Sequence, residues 1–133
     1  MLAIDSNVLV RVLVDDPDAP AQCQVARTAL SEVGEVFVPQ VVQIETVWVL
    51  ARAYGLAKPA LLSVLGTIAD HPAFHLQSPE IFQAALGLFQ AGNADFADCV
   101  ILAESAAARL ELVSFDRKLG QLAGVRLLTV AGA

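Results

Sequence analysis

The chain has 133 residues, of which 56% are hydrophobic and only 17% charged. That is the size of one domain, residues 1–133, with a large apolar core, and it excludes a disordered segment. No uncharged apolar stretch reaches the roughly 18 residues of a membrane helix, and the formal net charge of −6 argues at first sight against nucleic acid, whose binding rests on basic surface, and predicts low intrinsic affinity for it.

Short apolar runs alternate with longer segments of helical period, the pattern of an α/β domain with a mostly parallel sheet. The opening MLAI predicts a first, buried strand, and Asn7 to Val14 a short helix. The turn DDPDAP leads into a helix from about Ala19 to Val33. EVFVP is a second strand closed by Pro39. From Gln40 to Tyr54 the residues Val41, Ile44, Glu45, Trp48, Leu50 and Ala51 recur at helical spacing, which sets Glu45 on or beside an apolar, buried stripe; Gly55 ends the helix.

Lys58-Pro59 opens a further helix that runs to about Asp70, where His71-Pro72 breaks it. AFHLQ is a short third strand. Ser78-Pro79-Glu80 starts a helix to about Gln90, closed by Ala91-Gly92-Asn93. Asp95 to Leu110 is a long alanine-rich helix carrying Asp98. ELVSF is a fourth strand running into Asp116, RKLGQL a short helical turn, and VRLLTV a last strand. The terminal Ala131-Gly132-Ala133 is expected to fray.

Cys23 and Cys99 are the only cysteines. They fall on apolar helical faces without a Cys-x-x-Cys spacing, so free buried thiols are expected. His71 and His75 lie far from any other soft ligand, which argues against zinc. The N-terminus shows no basic region followed by an apolar run and a cleavage site, so a cytoplasmic location is expected.

Four carboxylates stand in apolar surroundings: Asp5 in LAIDSNVLV, Glu45 in VVQIETVWVL, Asp98 in ADFADCVIL and Asp116 in LVSFDRKLG. Two like charges 4 Å apart repel by about 4 kcal/mol at an effective dielectric of 20, so gathering them costs stability unless a cation is bound. Mg2+ and Mn2+ take such hard oxygen ligands and serve phosphoryl chemistry. Asp5 and Asp116 each follow a strand and precede a helix, and in a parallel sheet the carboxyl ends of the strands share one edge. Asp98 lies early in a helix whose apolar face, with Ile101, Leu102 and Ser105, is expected to pack on that sheet, and Asp95 falls on the same side.

Each residue also has a plainer role. Asp5, Asp95 and Asp116 stand where aspartate caps a helix, and Glu45 could be a rim charge. Ser6, Asn7 and Ser114 either orient carboxylates or form turns. Arg11 and Arg117 are candidates for contacting substrate phosphate, or else solvate the surface.

Taken together, IDSNVLVRVL, the helical glutamate at position 45, ADFADCVILA and LVSFDRKL resemble PIN-domain ribonucleases, most of all the VapC toxins of prokaryotic toxin-antitoxin pairs, over essentially the whole chain. The resemblance implies a three-layer fold with a central, mostly parallel sheet flanked by helices. It implies that Asp5, Glu45, Asp98 and Asp116 hold one or two Mg2+ or Mn2+ ions for hydrolysis of RNA, with Asp95 auxiliary. The family's more usual Asp-Thr-Asn appears here as Asp5-Ser6-Asn7. A homodimer and a cognate antitoxin, whose C-terminal segment enters the active-site groove, are implied as partners.

Two rivals differ in class. A phosphoaspartate phosphatase needs a second acid two positions after its first, where this chain has Asn7. A receiver needs an acidic pair directly after the first strand and a lysine at a late strand end, which Asp15-Asp16 and Lys118 do not supply. A PIN-like module that binds RNA or protein without cleavage would show itself by a missing ligand, and none of the four is missing.

Overall fold

The structure is a computed structural model that describes residues 1–131. Gly132 and Ala133, on which the expected fraying partly falls, lie outside the described residues. The elements run β1 (Leu2–Ala3), α1 (Ser6–Leu13), α2 (Pro20–Val33), β2 (Val36–Val38), α3 (Gln40–Arg52), α4 (Lys58–Asp70), β3 (Phe74–Leu76), α5 (Pro79–Ala91), α6 (Phe96–Ala107), β4 (Leu112–Ser114), a 3-10 turn (Leu119–Gln121) and β5 (Val125–Leu127). The alternation is the expected one, and every strand pairing among the described residues is parallel. The fold is a helix-rich α/β architecture in which parallel strands are flanked by helices. The chain forms two compact units, Met1–Pro79 and Glu80–Ala133.

In the first unit the strand order is β1-β2-β3, with Leu2 opposite Val36 and Val36 opposite Phe74. Its core is built on the central strand: Val36 and Val38 are buried together with Leu9, Val10, Leu50, Leu65 and Ile68. Pro20 and Pro59 stand in the first turns of α2 and α4, where a missing N–H costs no helical hydrogen bond. Gly34 ends α2 at φ 80°, a left-handed conformation that glycine adopts without a Cβ clash.

The first strand departs from expectation. MLAI is not a buried strand: only Leu2–Ala3 is extended, and Leu2 is 58% exposed. The reason is its place at the edge of the three-stranded sheet of this unit, where β2 is its paired neighbour. An apolar run marks strand formation, but it does not distinguish an edge strand from a central one.

The second unit holds most of α5, α6 and the parallel pair β4-β5, in which Leu112 lies opposite Val125. Its core is aromatic. Phe96 is met nearly edge-on by Phe82 at 5.9 Å and by Phe89 at 5.7 Å between ring centres, arrangements that the ring quadrupoles favour. Cys99, Val100, Leu102 and Ala103 complete the buried face of α6. Ile101 does not join them, being 45% exposed; the run Val100 to Ala103 is apolar all round and so hides which residues face inward. β5 stops at Leu127 instead of running to Val130. Both cysteines are free and buried, as expected. No helix among the described residues is long and apolar enough to cross a membrane.

Candidate active site

In the first unit, Asp5 follows β1 and caps α1. Its backbone is extended, and its Oδ1 accepts the N–H of Val8 at 2.9 Å, so capping uses one oxygen of an exposed carboxylate. Ser6, the next residue, is buried, and its hydroxyl donates to Oε1 of Glu45, linking α1 to the second turn of α3. Asn7 is exposed and lines, with Asp5, Val8 and Gln22, an open groove of about 370 Å³.

Glu45 is not on a buried stripe. It shares a helix face with Val41 and Trp48, as their spacing requires, but that face is open to solvent: Val41 is 72% and Trp48 59% exposed. The buried side of α3 consists of Val42, Gln43, Thr46, Val47 and Leu50. Gln43, though polar, is 2% exposed, because its amide donates to the carbonyls of Val38 at 3.1 Å and Gln77 at 2.9 Å. Those bonds offset the desolvation that ordinarily keeps glutamine at a surface, and α3 sits about one position from the orientation that the sequence spacing suggests.

Arg11 is held away from any free role. Its Nη1 meets Asp16 Oδ2 at 3.0 Å and also donates to the Tyr54 hydroxyl, while its Nε donates to Gln22 at 3.0 Å. Tyr54 donates to the same Asp16 oxygen at 2.7 Å. This hydrogen bond, then the Asp18 backbone N–H and the Arg11 charge, hold the Asp16 carboxyl below its ordinary value. Tyr54 had no signal in the sequence beyond its position before Gly55.

In the second unit, Asp95 is the N-cap residue of α6 and makes no side-chain capping bond. Asp98 is half-buried in the first turn of the same helix. Asp116 repeats the geometry of Asp5: its Oδ1 accepts the N–H of Leu119 at 2.9 Å, while its own N–H donates to the Ser114 hydroxyl at 2.9 Å. Burial pushes the Asp98 carboxyl above its ordinary range, and the charges of Asp116 and Asp95 push it further the same way. Asp98 therefore feels the charges of two other carboxylates of its unit. Arg117 is exposed beside Asp116.

Residues 2–125 match the PIN domain family. The chain belongs to the PIN-domain family. It is similar to the VapC ribonuclease of Aquifex aeolicus (strain VF5), with 27% identity over 124 residues that make up 92% of each chain.

The family match spans both units of this PIN domain and sets aside the phosphoaspartate readings. Within neither unit do three His, Cys, Asp or Glu side chains of the described residues come close enough together to hold a metal ion; Asp5 and Glu45 belong to the first unit, and Asp95, Asp98 and Asp116 to the second. The donor chemistry nevertheless fits a hard divalent cation. The acids offer carboxylate oxygens only, and the repulsion felt by Asp98 is the kind that a cation reverses. The PIN domain also fixes these carboxylates by its own hydrogen bonds: Ser6 on Glu45, and helix-capping N–H groups on Asp5 and Asp116.

Proposed function

We propose that this chain is a divalent-metal-dependent endoribonuclease of the VapC toxin type, hydrolysing RNA phosphodiester bonds and neutralised by a cognate antitoxin. Asp5, Glu45, Asp98 and Asp116 are its metal ligands, with Asp95 auxiliary, and residues 1–133 act as one domain. The observation that carries the reading is the PIN-domain match over nearly the whole chain, and Asp98, a half-buried acid whose ionisation its burial and two acidic neighbours oppose, is consistent with a cation site. The likeness to a VapC ribonuclease supports it.

Bound Mg2+ or Mn2+, as one ion or two, would supply Lewis-acid chemistry, favouring water as a nucleophile near neutral pH and offsetting charge at the phosphate. The chain's own part is to hold oxygens in place. Ser6 restricts the Glu45 carboxylate from the buried side, and the capping N–H groups of Val8 and Leu119 fix Asp5 and Asp116. Ser114 secures the backbone of Asp116. Such supporting bonds orient ligands without touching substrate. Of the two arginines considered for phosphate, Arg117 is the better placed, because Arg11 is engaged by Asp16. A homodimer and a cytoplasmic location belong to the same proposal and rest on the VapC likeness.

The test is cleavage of a panel of structured RNAs by antitoxin-free protein in Mg2+ or Mn2+, beside EDTA and an Asp98→Asn control. Discrete metal-dependent fragments absent from the control lane establish the nuclease. Intact RNA in the presence of folded, metal-bound protein replaces it with a PIN module that binds without cutting.

A further inference from the structure

A surface helix of a small domain ordinarily turns polar residues outward. α3 does so only in part. Val41, Glu45, Trp48 and Arg52 recur along one stripe, and all four are exposed. Trp48 is the chain's single tryptophan, and the Arg52 guanidinium carbon lies 5.7 Å from the centre of its ring. Neither side chain serves the core, which α3 meets through Val42, Gln43, Thr46, Val47 and Leu50.

The charges on the stripe select its occupant. An apolar protein segment laid over Val41 and Trp48 would have to desolvate both Glu45 and Arg52, a penalty that a partner without matching charges does not return. A nucleotide strand suits Trp48 and Arg52: a base stacks on an indole whatever its identity, and a guanidinium pairs with phosphate while also stacking; Glu45 would accept a phosphate beside it only through a bound cation. Trp48 lies one turn, about 4.5 Å along the helix axis, from Glu45. A base resting on that ring is therefore a neighbour of any phosphate held at Glu45.

We propose that the exposed stripe of α3 is a docking surface for single-stranded RNA, with the Trp48 ring stacking a base next to the scissile phosphate and Arg52 contacting the backbone beyond it. The position relative to the scissile bond rests on the ribonuclease reading; the contact between ring and base does not.

Because Trp48 is the only tryptophan, its emission reports this stripe alone. The Asp98→Asn protein in Mg2+ is titrated with a short unstructured oligoribonucleotide, while fluorescence anisotropy of a labelled strand follows binding to the Trp48 variants. The expected result is saturable quenching, a roughly tenfold loss of affinity in Trp48→Leu, retention of most affinity in Trp48→Phe, and a salt slope lowered by about one in Arg52→Gln. With Asp98 intact, Trp48→Leu should raise KM and leave kcat unchanged. Circular dichroism confirms that the variants fold.

Three results overturn the proposal. One is binding by anisotropy with unchanged tryptophan emission; another is equal affinity in Trp48→Leu. The third is a dimer in sedimentation that Trp48→Leu dissociates while RNA binding persists, which would give the stripe to a second copy of the chain. If the unaltered protein cuts no RNA while oligonucleotide still quenches Trp48, the ribonuclease reading fails and the docking surface stands.

Discussion

The Ser6 hydroxyl donates to the carboxylate of Glu45, 39 positions away in sequence. The donor is buried and the acceptor exposed, so a group anchored in the domain interior steadies an acid that reaches into solvent. Without that bond Glu45 loses the group that orients it. Ser6→Ala should therefore leave the fold intact and lower Mn2+ affinity, or activity, by about 10–100-fold, the usual effect of removing a group that supports a ligand. Titration calorimetry checks it, and unchanged affinity would remove Ser6 from the site.

Glu45→Gln tests the acid itself. The exposed side chain should tolerate the change with little loss of stability, while metal binding falls sharply. In the unaltered protein, a ligand that binds only the folded state at 100 times its dissociation constant stabilises by about 2.7 kcal/mol. Millimolar Mg2+ or Mn2+ should accordingly raise the melting temperature, and Glu45→Gln should shrink that rise.

Asp98→Asn relieves repulsion. Burial, Asp116 and Asp95 all act against the Asp98 carboxylate, so in EDTA at neutral pH the variant should melt above the parent protein. Added metal should reverse the order, because the parent alone recovers the cost through binding. A variant that melts lower in EDTA would show that the Asp98 charge is already compensated in the fold.

The Arg11–Asp16–Tyr54 cluster makes the pH prediction. Asp16 titrates below its ordinary value of 3.8 in the folded chain, so its contribution is fully present above that value and is lost as pH falls through the lower, folded one. The Tyr54 hydrogen bond is the largest cause. Asp16→Asn should therefore be less stable than the parent at neutral pH, with the difference closing in strong acid. Urea midpoints at the two ends of that range decide it, and Tyr54→Phe should give part of the same effect.

Phe82 is 1% exposed and packs edge-on against Phe96. Phe82→Ala should cost about 3–5 kcal/mol, through lost transfer energy and the cavity left behind. A change below about 1 kcal/mol in chemical unfolding would mean that the second unit closes around the gap.

Much of this was legible in the chain. Prolines, glycines and short apolar runs place the boundaries of α2, α4 and β2 within a residue or two, because each acts through local backbone chemistry. Asp5 and Asp116 announce themselves by standing between a strand and a helical turn. What stayed hidden is rotation about a helix axis. In α3 both faces carry apolar residues, and the inward one includes a polar residue, Gln43, bonded to the carbonyls of Val38 and Gln77, partners that only the folded chain brings near. The same blindness put Ile101 in the core, while β1 was made a buried strand because an apolar run does not tell an edge strand from a central one. The clamp on Arg11 needed Tyr54, 43 positions later, for which no spacing rule exists.

Asp5 and Asp116 each hold a helical turn through one carboxylate oxygen. Asparagine caps a helix about as well as aspartate, so replacing either residue by asparagine removes a charge and leaves the turn closed. Under the ligand roles proposed above, the distance between a cutting enzyme and a well-folded protein that only grips its target is then one amide, crossed without loss of the turn that the residue closes.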